Sequence, residues 1–139
     1  MEIIVMLAAV ILLFVSGIHL FWAFGGRWGG RAVVPEKVGG GLTFRPGPAE
    51  TAAVAALILV ACYCLVAQAE LLSGLEANRV TRWGSILCAA VFVIRTVGDF
   101  RYVGFFKRYK HSVFAKYDTW FYSPLCLFLG VAFVAALQG

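Results

Sequence analysis

Apolar residues dominate four stretches of the chain, and short polar segments separate these stretches. The first stretch, Ile3 to Phe24, carries no formal charge, and the last, Thr119 to Leu137, is also uncharged. A transmembrane helix needs about 20 mostly apolar residues, and all four stretches reach that length. We therefore predict an all-α polytopic membrane protein whose four transmembrane helices form an antiparallel bundle. The predicted helices cover residues 3–24, 49–70, 82–103 and 118–137 of a single domain, 1–139.

Composition supports this interpretation. Hydrophobic residues make up 62% of the chain and charged residues 14%, and the mean hydropathy is +0.88. A helical core buried in a soluble protein would need polar outer faces, which these segments lack.

Basic residues indicate the orientation. The first and third loops hold nine Lys and Arg residues, whereas the second loop holds only Arg79 and Arg82. The positive-inside rule then predicts cytoplasmic first and third loops and both termini outside. Met1-Glu2 is a poor start for a signal peptide, so the first segment is expected to be retained. The net charge of +5 indicates contact with anionic lipids, not with nucleic acid.

Arg95 and Asp99 are the most unusual residues of the predicted third helix. Ionisable groups inside a membrane are costly and mark a functional-site hypothesis. Four residues apart on a helix, the two side chains share a face and can form an ion pair. We predict that they pair with each other and face the interior of the bundle.

Helical rise places further polar residues at the level of this pair. His19 and Asp99 each lie about 24 Å along their predicted helices, near the cytoplasmic edge. Helices two and four begin at the same edge. The predicted ligand-binding residues are His19, Trp22, Arg95, Asp99, Tyr102, Asp118 and Tyr122, and the candidate catalytic residues are His19, Asp99 and Glu50.

Several functions remain open for this layer. It is either a polar network that fixes helix register or a ligand site that opens to the cytoplasm. A binding or accessory protein for a lipid-like or small amphiphilic ligand ranks first, an acid/base membrane enzyme second, and a small oligomeric transporter third. No motif for a metal or a cofactor is present, so neither is expected, and whether the protein is an enzyme stays open. A homo-oligomer or a larger membrane complex also stays open.

Two sequence blocks carry a resemblance to a known family. One block is His19 to Gly29 with Val34-Pro35, and the other combines Arg95, Gly98 to Lys107, Tyr117 to Thr119 and Tyr122 to Cys126. Together they resemble a bacterial family of small four-helix integral membrane proteins known as a domain of unknown function. The resemblance implies four helices in a bacterial inner (cytoplasmic) membrane, but no activity, cofactor or catalytic residue.

Overall fold

The structure is a computed structural model that describes residues 1–28, 34, 47–98, 102–108, 110 and 112–139. All regular structure within these residues is helical: α1 (Glu2–Ala23), α2 (Pro48–Gln68), α3 (Arg79–Val97) and α4 (Val113–Gln138). Each helix is long and apolar enough to cross a membrane. The prediction of an all-α fold with four membrane-spanning helices is therefore confirmed.

Side-chain hydrogen bonds fix the relative direction of α1 and α2. The Ser16 hydroxyl donates to the Ala55 carbonyl at 2.9 Å, and the Cys62 thiol approaches the Ala9 carbonyl at 3.6 Å. Moving from Ser16 back to Ala9 on α1 therefore corresponds to moving forward from Ala55 to Cys62 on α2. The two helices run antiparallel.

The core lies where the four helices meet. α1 packs mainly on α2, and α3 packs mainly on α4. Leu12, Leu65 and Phe133 are almost completely buried there, together with small residues such as Ala8 and Ala132. Small residues allow helix backbones to approach closely where the hydrophobic effect does not drive association.

Large apolar side chains also cover the outside of the helices. Ile3 is 72% exposed, Phe14 68% and Leu57 68%. Soluble monomers rarely expose contiguous apolar surface on this scale. These faces are suited to contact with lipid chains.

The end of α3 differs from the sequence prediction. The helix ends at Val97 rather than at residue 103, because Gly98 leaves the helical conformation with a φ of 84°. Arg95 consequently lies in the last helical turn instead of well inside the span. Tyr102 lies in the following loop and not on the helix.

Other helix boundaries also shift, each for a local reason. α4 begins at Val113 rather than at 118, because the Ser112 hydroxyl accepts a hydrogen bond from the Ala115 amide at 3.0 Å and caps the helix. α3 begins at Arg79 rather than at 82, where Asn78 and Thr81 form a capping box. α2 ends at Gln68 rather than at 70, since Glu70 adopts a φ of 51°.

Candidate functional site at the junction of α3 and α4

Asp118 lies in a π-helical turn of α4. The turn spans Asp118–Tyr122, between α-helical stretches at Val113–Tyr117 and Ser123–Gln138. Its wider winding lets the Ser123 amide bond to the Asp118 carbonyl, five residues earlier. The Ser123 hydroxyl then reaches the Asp118 carboxylate, with Oγ 3.2 Å from Oδ1. Short π-helical turns within α-helices are often found at functional sites.

Four donors saturate the Asp118 carboxylate, whose side chain is fully buried. Oδ1 accepts from Arg95 Nη2 at 2.6 Å and from the Ser123 hydroxyl. Oδ2 accepts from the Gly104 amide at 2.7 Å and lies 3.1 Å from Lys107 Nζ. A carboxylate offers about four lone-pair positions, and each is used here. We call Arg95, Lys107 and Asp118 the ionic cluster.

Lys107 is buried as completely as Asp118, with no exposed side-chain surface. Its ammonium group donates to the Gly104 carbonyl at 3.0 Å and to the Thr119 hydroxyl, in addition to its ion pair with Asp118. An ammonium group has three N–H donors, so all three have an acceptor. Lys107 therefore serves as a structural counter-charge within the protein.

Two glycines bring the loop after α3 onto Asp118. A Cβ on Gly98 would overlap the Val103 carbonyl oxygen and lie 2.7 Å from the Gly104 Cα. A Cβ on Gly104 would overlap the Val97 carbonyl oxygen. Both glycines also have positive φ, 84° and 87°, which favours glycine. This backbone crossing aims the Gly104 amide at Asp118.

Arg95 is the member of the cluster that reaches the protein surface, with its side chain 28% exposed. Its guanidinium carbon lies 5.9 Å from the centre of the Phe114 ring, in cation–π geometry. Nη2 pairs with Asp118, whereas Nη1 is buried and has no hydrogen-bond partner among the described residues. A buried donor without an acceptor costs free energy. An acceptor at Nη1 would therefore stabilise the site.

The predicted site residues on α1 make local contacts. His19 Nδ1 lies 2.8 Å from the Val15 carbonyl, so Nδ1 carries the proton in the neutral ring. The His19 and Trp22 rings meet edge to face, with centroids 5.2 Å apart. Trp22 Nε1 donates to the Trp28 carbonyl at 2.7 Å and fixes the turn after α1. These bonds lie within α1 and its following turn.

The remaining predicted residues are divided between the cluster and its surroundings. Tyr122 lies within electrostatic range of Asp118 and Arg95, and its ring packs 5.8 Å from that of Phe114. Tyr102 is half-buried on the loop after α3. Glu50 is exposed in the first turn of α2, where a carboxylate favours the helix dipole. Asp99 and its predicted pairing with Arg95 lie outside the described residues.

The structure adds residues that sequence reasoning missed, chiefly Lys107, Gly104, Thr119 and Ser123. Lys107 was expected to face lipid headgroups with the other basic loop residues. Its burial depends on the Gly98–Gly104 crossing, which no periodicity indicates. Within the described residues, no group of three His, Cys, Asp or Glu side chains is placed to hold a metal ion.

No curated protein and no solved structure matches this chain. A family model described as "Protein of unknown function (DUF3995)" matches residues 12–133, which include both blocks that carry the predicted resemblance. The chain therefore belongs to the DUF3995 family of proteins of unknown function.

Proposed function

We propose that this protein has a binding or accessory role in the membrane and holds a lipid-like or small amphiphilic molecule beside the ionic cluster. The observation that carries the proposal is Arg95 Nη1, a buried donor with no acceptor among the described residues. Nη1 itself is buried, but other atoms of the Arg95 side chain are exposed, so a molecule in the membrane can approach the guanidinium group. We also propose that the end of the protein that holds the ionic cluster faces the cytoplasm.

The surroundings of the cluster favour an amphiphile over a purely polar ligand. Trp120 is 84% exposed and Phe121 57%, and both lie in the π-helical turn that holds Asp118. Basic residues at the same end, Arg108 and Lys116, are exposed as well. Aromatic and basic side chains together are typical of the boundary between lipid chains and headgroups.

The bonding of Asp118 favours binding over acid/base catalysis at the cluster. A general base needs a free lone pair directed at the proton that it removes. Each Asp118 oxygen already accepts two donors, and two of these four donors are the cations Arg95 and Lys107. Such a carboxylate holds other groups in place and has no free lone pair to direct at a substrate.

A bound amphiphile can be detected directly. The protein is purified in a mild detergent, and native mass spectrometry measures non-covalent adducts, which are then identified by fragmentation. We expect one retained amphiphile in the wild type and its loss in Arg95→Lys, which keeps the charge but has a single ammonium group. Arg82→Lys is the matched control, because Arg82 is exposed at the opposite end of α3. An unliganded wild type, or an adduct that Arg95→Lys retains, would contradict the proposal.

A further inference from the structure

Charge balance restricts the kind of amphiphile that fits the cluster. Among the described residues, the cluster combines two cations, Arg95 and Lys107, with one carboxylate, Asp118. Buried charge that is not balanced is strongly unfavourable. The donors of Lys107 are all used, so the positive charge that has no counter-charge among the described residues lies at Arg95 Nη1.

An arginine that uses only one of its terminal nitrogens can still bind a second anionic oxygen through the other. The guanidinium fork matches the oxygens of carboxylates and phosphates, and bonds to such anions are about twice as strong as neutral ones. Nη2 is committed to Asp118 at 2.6 Å, and Nη1 remains for a second anionic oxygen. The Phe114 ring on one side of the guanidinium limits the directions from which that oxygen can approach.

The surface of α3 leads away from Arg95 as an apolar stripe. Trp83, Leu87 and Val91 precede Arg95 at steps of four residues, so each is a neighbour of the next in a stripe that winds around the helix by about 40° per step. Their side chains are 65%, 66% and 52% exposed. From Arg95 to Trp83 the helix rises about 18 Å, which is comparable with one leaflet of a hydrocarbon core about 30 Å thick.

We infer that the occupant is an anionic membrane lipid, with a headgroup oxygen on Arg95 Nη1 and an acyl chain along the Trp83–Leu87–Val91 stripe. This inference rests on the proposed function and names its ligand class. Charge complementarity at Arg95 selects the headgroup, while the exposed stripe supplies the contact for the chain. A neutral or zwitterionic lipid offers the same chain but no net charge to balance the cluster.

Lipid titration in native mass spectrometry tests the inference. Dioleoyl phosphatidylglycerol and dioleoyl phosphatidylcholine have the same acyl chains, so a difference in their binding reports on the headgroup. Both lipids offer a phosphate oxygen to Nη1, but only phosphatidylglycerol has a net negative charge to balance the cluster. We therefore expect the first phosphatidylglycerol to bind the wild type roughly tenfold or more tightly than phosphatidylcholine. Arg95→Gln, which removes the charge, should lose this preference, whereas Arg108→Gln, which removes an exposed charge at the same end, should keep most of it.

Each other outcome has a defined meaning. Equal binding of both lipids to the wild type overturns the inference, as does a preference that Arg95→Gln retains. Stabilisation by inorganic phosphate alone, dependent on Arg95, would identify a free anion and also overturn the lipid assignment. A neutral amphiphile that co-purifies with the wild type and is lost in Arg95→Lys would leave the proposed function intact while this inference fails.

A second measurement needs no substitution and covers the case in which Arg95→Gln does not fold. Phosphatidylglycerol with a photoreactive group in its acyl chain is crosslinked to the wild-type protein and mapped by peptide sequencing. We expect labelling on α3 around Leu87 and Val91, reduced by excess phosphatidylglycerol and not by excess phosphatidylcholine. Labelling spread evenly over all four helices, or reduced equally by both lipids, would overturn the inference.

Discussion

Arg95 at the end of α3 and Asp118 in the π-helical turn of α4 are joined by an ion pair with a nitrogen–oxygen distance of 2.6 Å, although 23 residues separate them in sequence. The same carboxylate holds Lys107 and the Gly104 amide. One buried side chain therefore connects the end of one helix, the loop that follows it and the beginning of the next helix.

Removing the charge of Asp118 should destabilise the protein strongly. In Asp118→Asn, Arg95 and Lys107 lose their common counter-charge, although Lys107 is fully buried and Arg95 mostly buried. Breaking a buried pair by changing one partner costs roughly 3–5 kcal/mol. Thermal or denaturant unfolding in detergent measures the effect, and Glu50→Gln, at an exposed carboxylate, is the control. Equal stability of the two variants would contradict a buried cluster.

The burial of Lys107 can be tested by chemical labelling. In the folded protein, an amine-reactive reagent should modify Lys110 and Lys116, which are exposed, and leave Lys107 unmodified. The protection arises because its ammonium group is enclosed and has three acceptors. Mass spectrometry of peptides gives the extent of modification at each lysine, and unfolding before labelling should abolish the difference. Comparable modification of all three lysines in the folded state would show that Lys107 is not enclosed.

The glycine crossing makes a graded prediction. Gly98→Ala should be the most damaging of three alanine substitutions, because its Cβ meets backbone atoms of Val103 and Gly104 and its φ is positive. Gly74→Ala has positive φ but open space, and should cost about 1 kcal/mol of strain. Gly17→Ala lies in α1 with open space and should be neutral or stabilising by up to about 1 kcal/mol. Unfolding midpoints in one detergent provide the order, and a Gly98→Ala variant as stable as either of the other two would contradict the close backbone contact.

The orientation of the chain remains a prediction from its loop charges. With both termini outside, alkaline phosphatase fused to the C-terminus should be active in a bacterial host, and green fluorescent protein at the same place should be dark. The fusions are compared at equal expression, with a reporter in the loop between α2 and α3 expected to behave like the C-terminal one. The opposite reporter pattern would reverse the orientation and place the ionic cluster at the outer end.

The helices could be predicted from the sequence because apolar stretches of sufficient length have few alternatives in a membrane. The boundaries could be predicted less well. Residues after Val97 remain apolar and aromatic enough to extend the hydrophobic pattern of α3, yet Gly98 ends the helix through its backbone conformation. Hydropathy depends on side-chain polarity alone and therefore does not indicate the backbone conformation of Gly98.

The site could be predicted in part. Arg95 was recognised because a charge in an apolar segment requires a partner, and Asp118 and Tyr122 were placed at the same level by helical rise. Local spacing favoured Asp99 as the partner, whereas the described ion pair is with Asp118 and depends on packing between two helices. Lys107 could not be found, because its position depends on the close backbone approach of Gly98 and Gly104.

The central claim is that the buried nitrogen of Arg95 receives an anionic oxygen from a bound amphiphile. An experimental density map of the protein in nanodiscs that contain phosphatidylglycerol tests this claim most directly, with Asp99→Asn as a matched sample. We predict non-protein density within about 3 Å of Arg95 Nη1, continuing along Val91 and Leu87, in both samples. A wild-type map in which a protein carboxylate, such as that of Asp99, occupies the position next to Nη1 would contradict the claim.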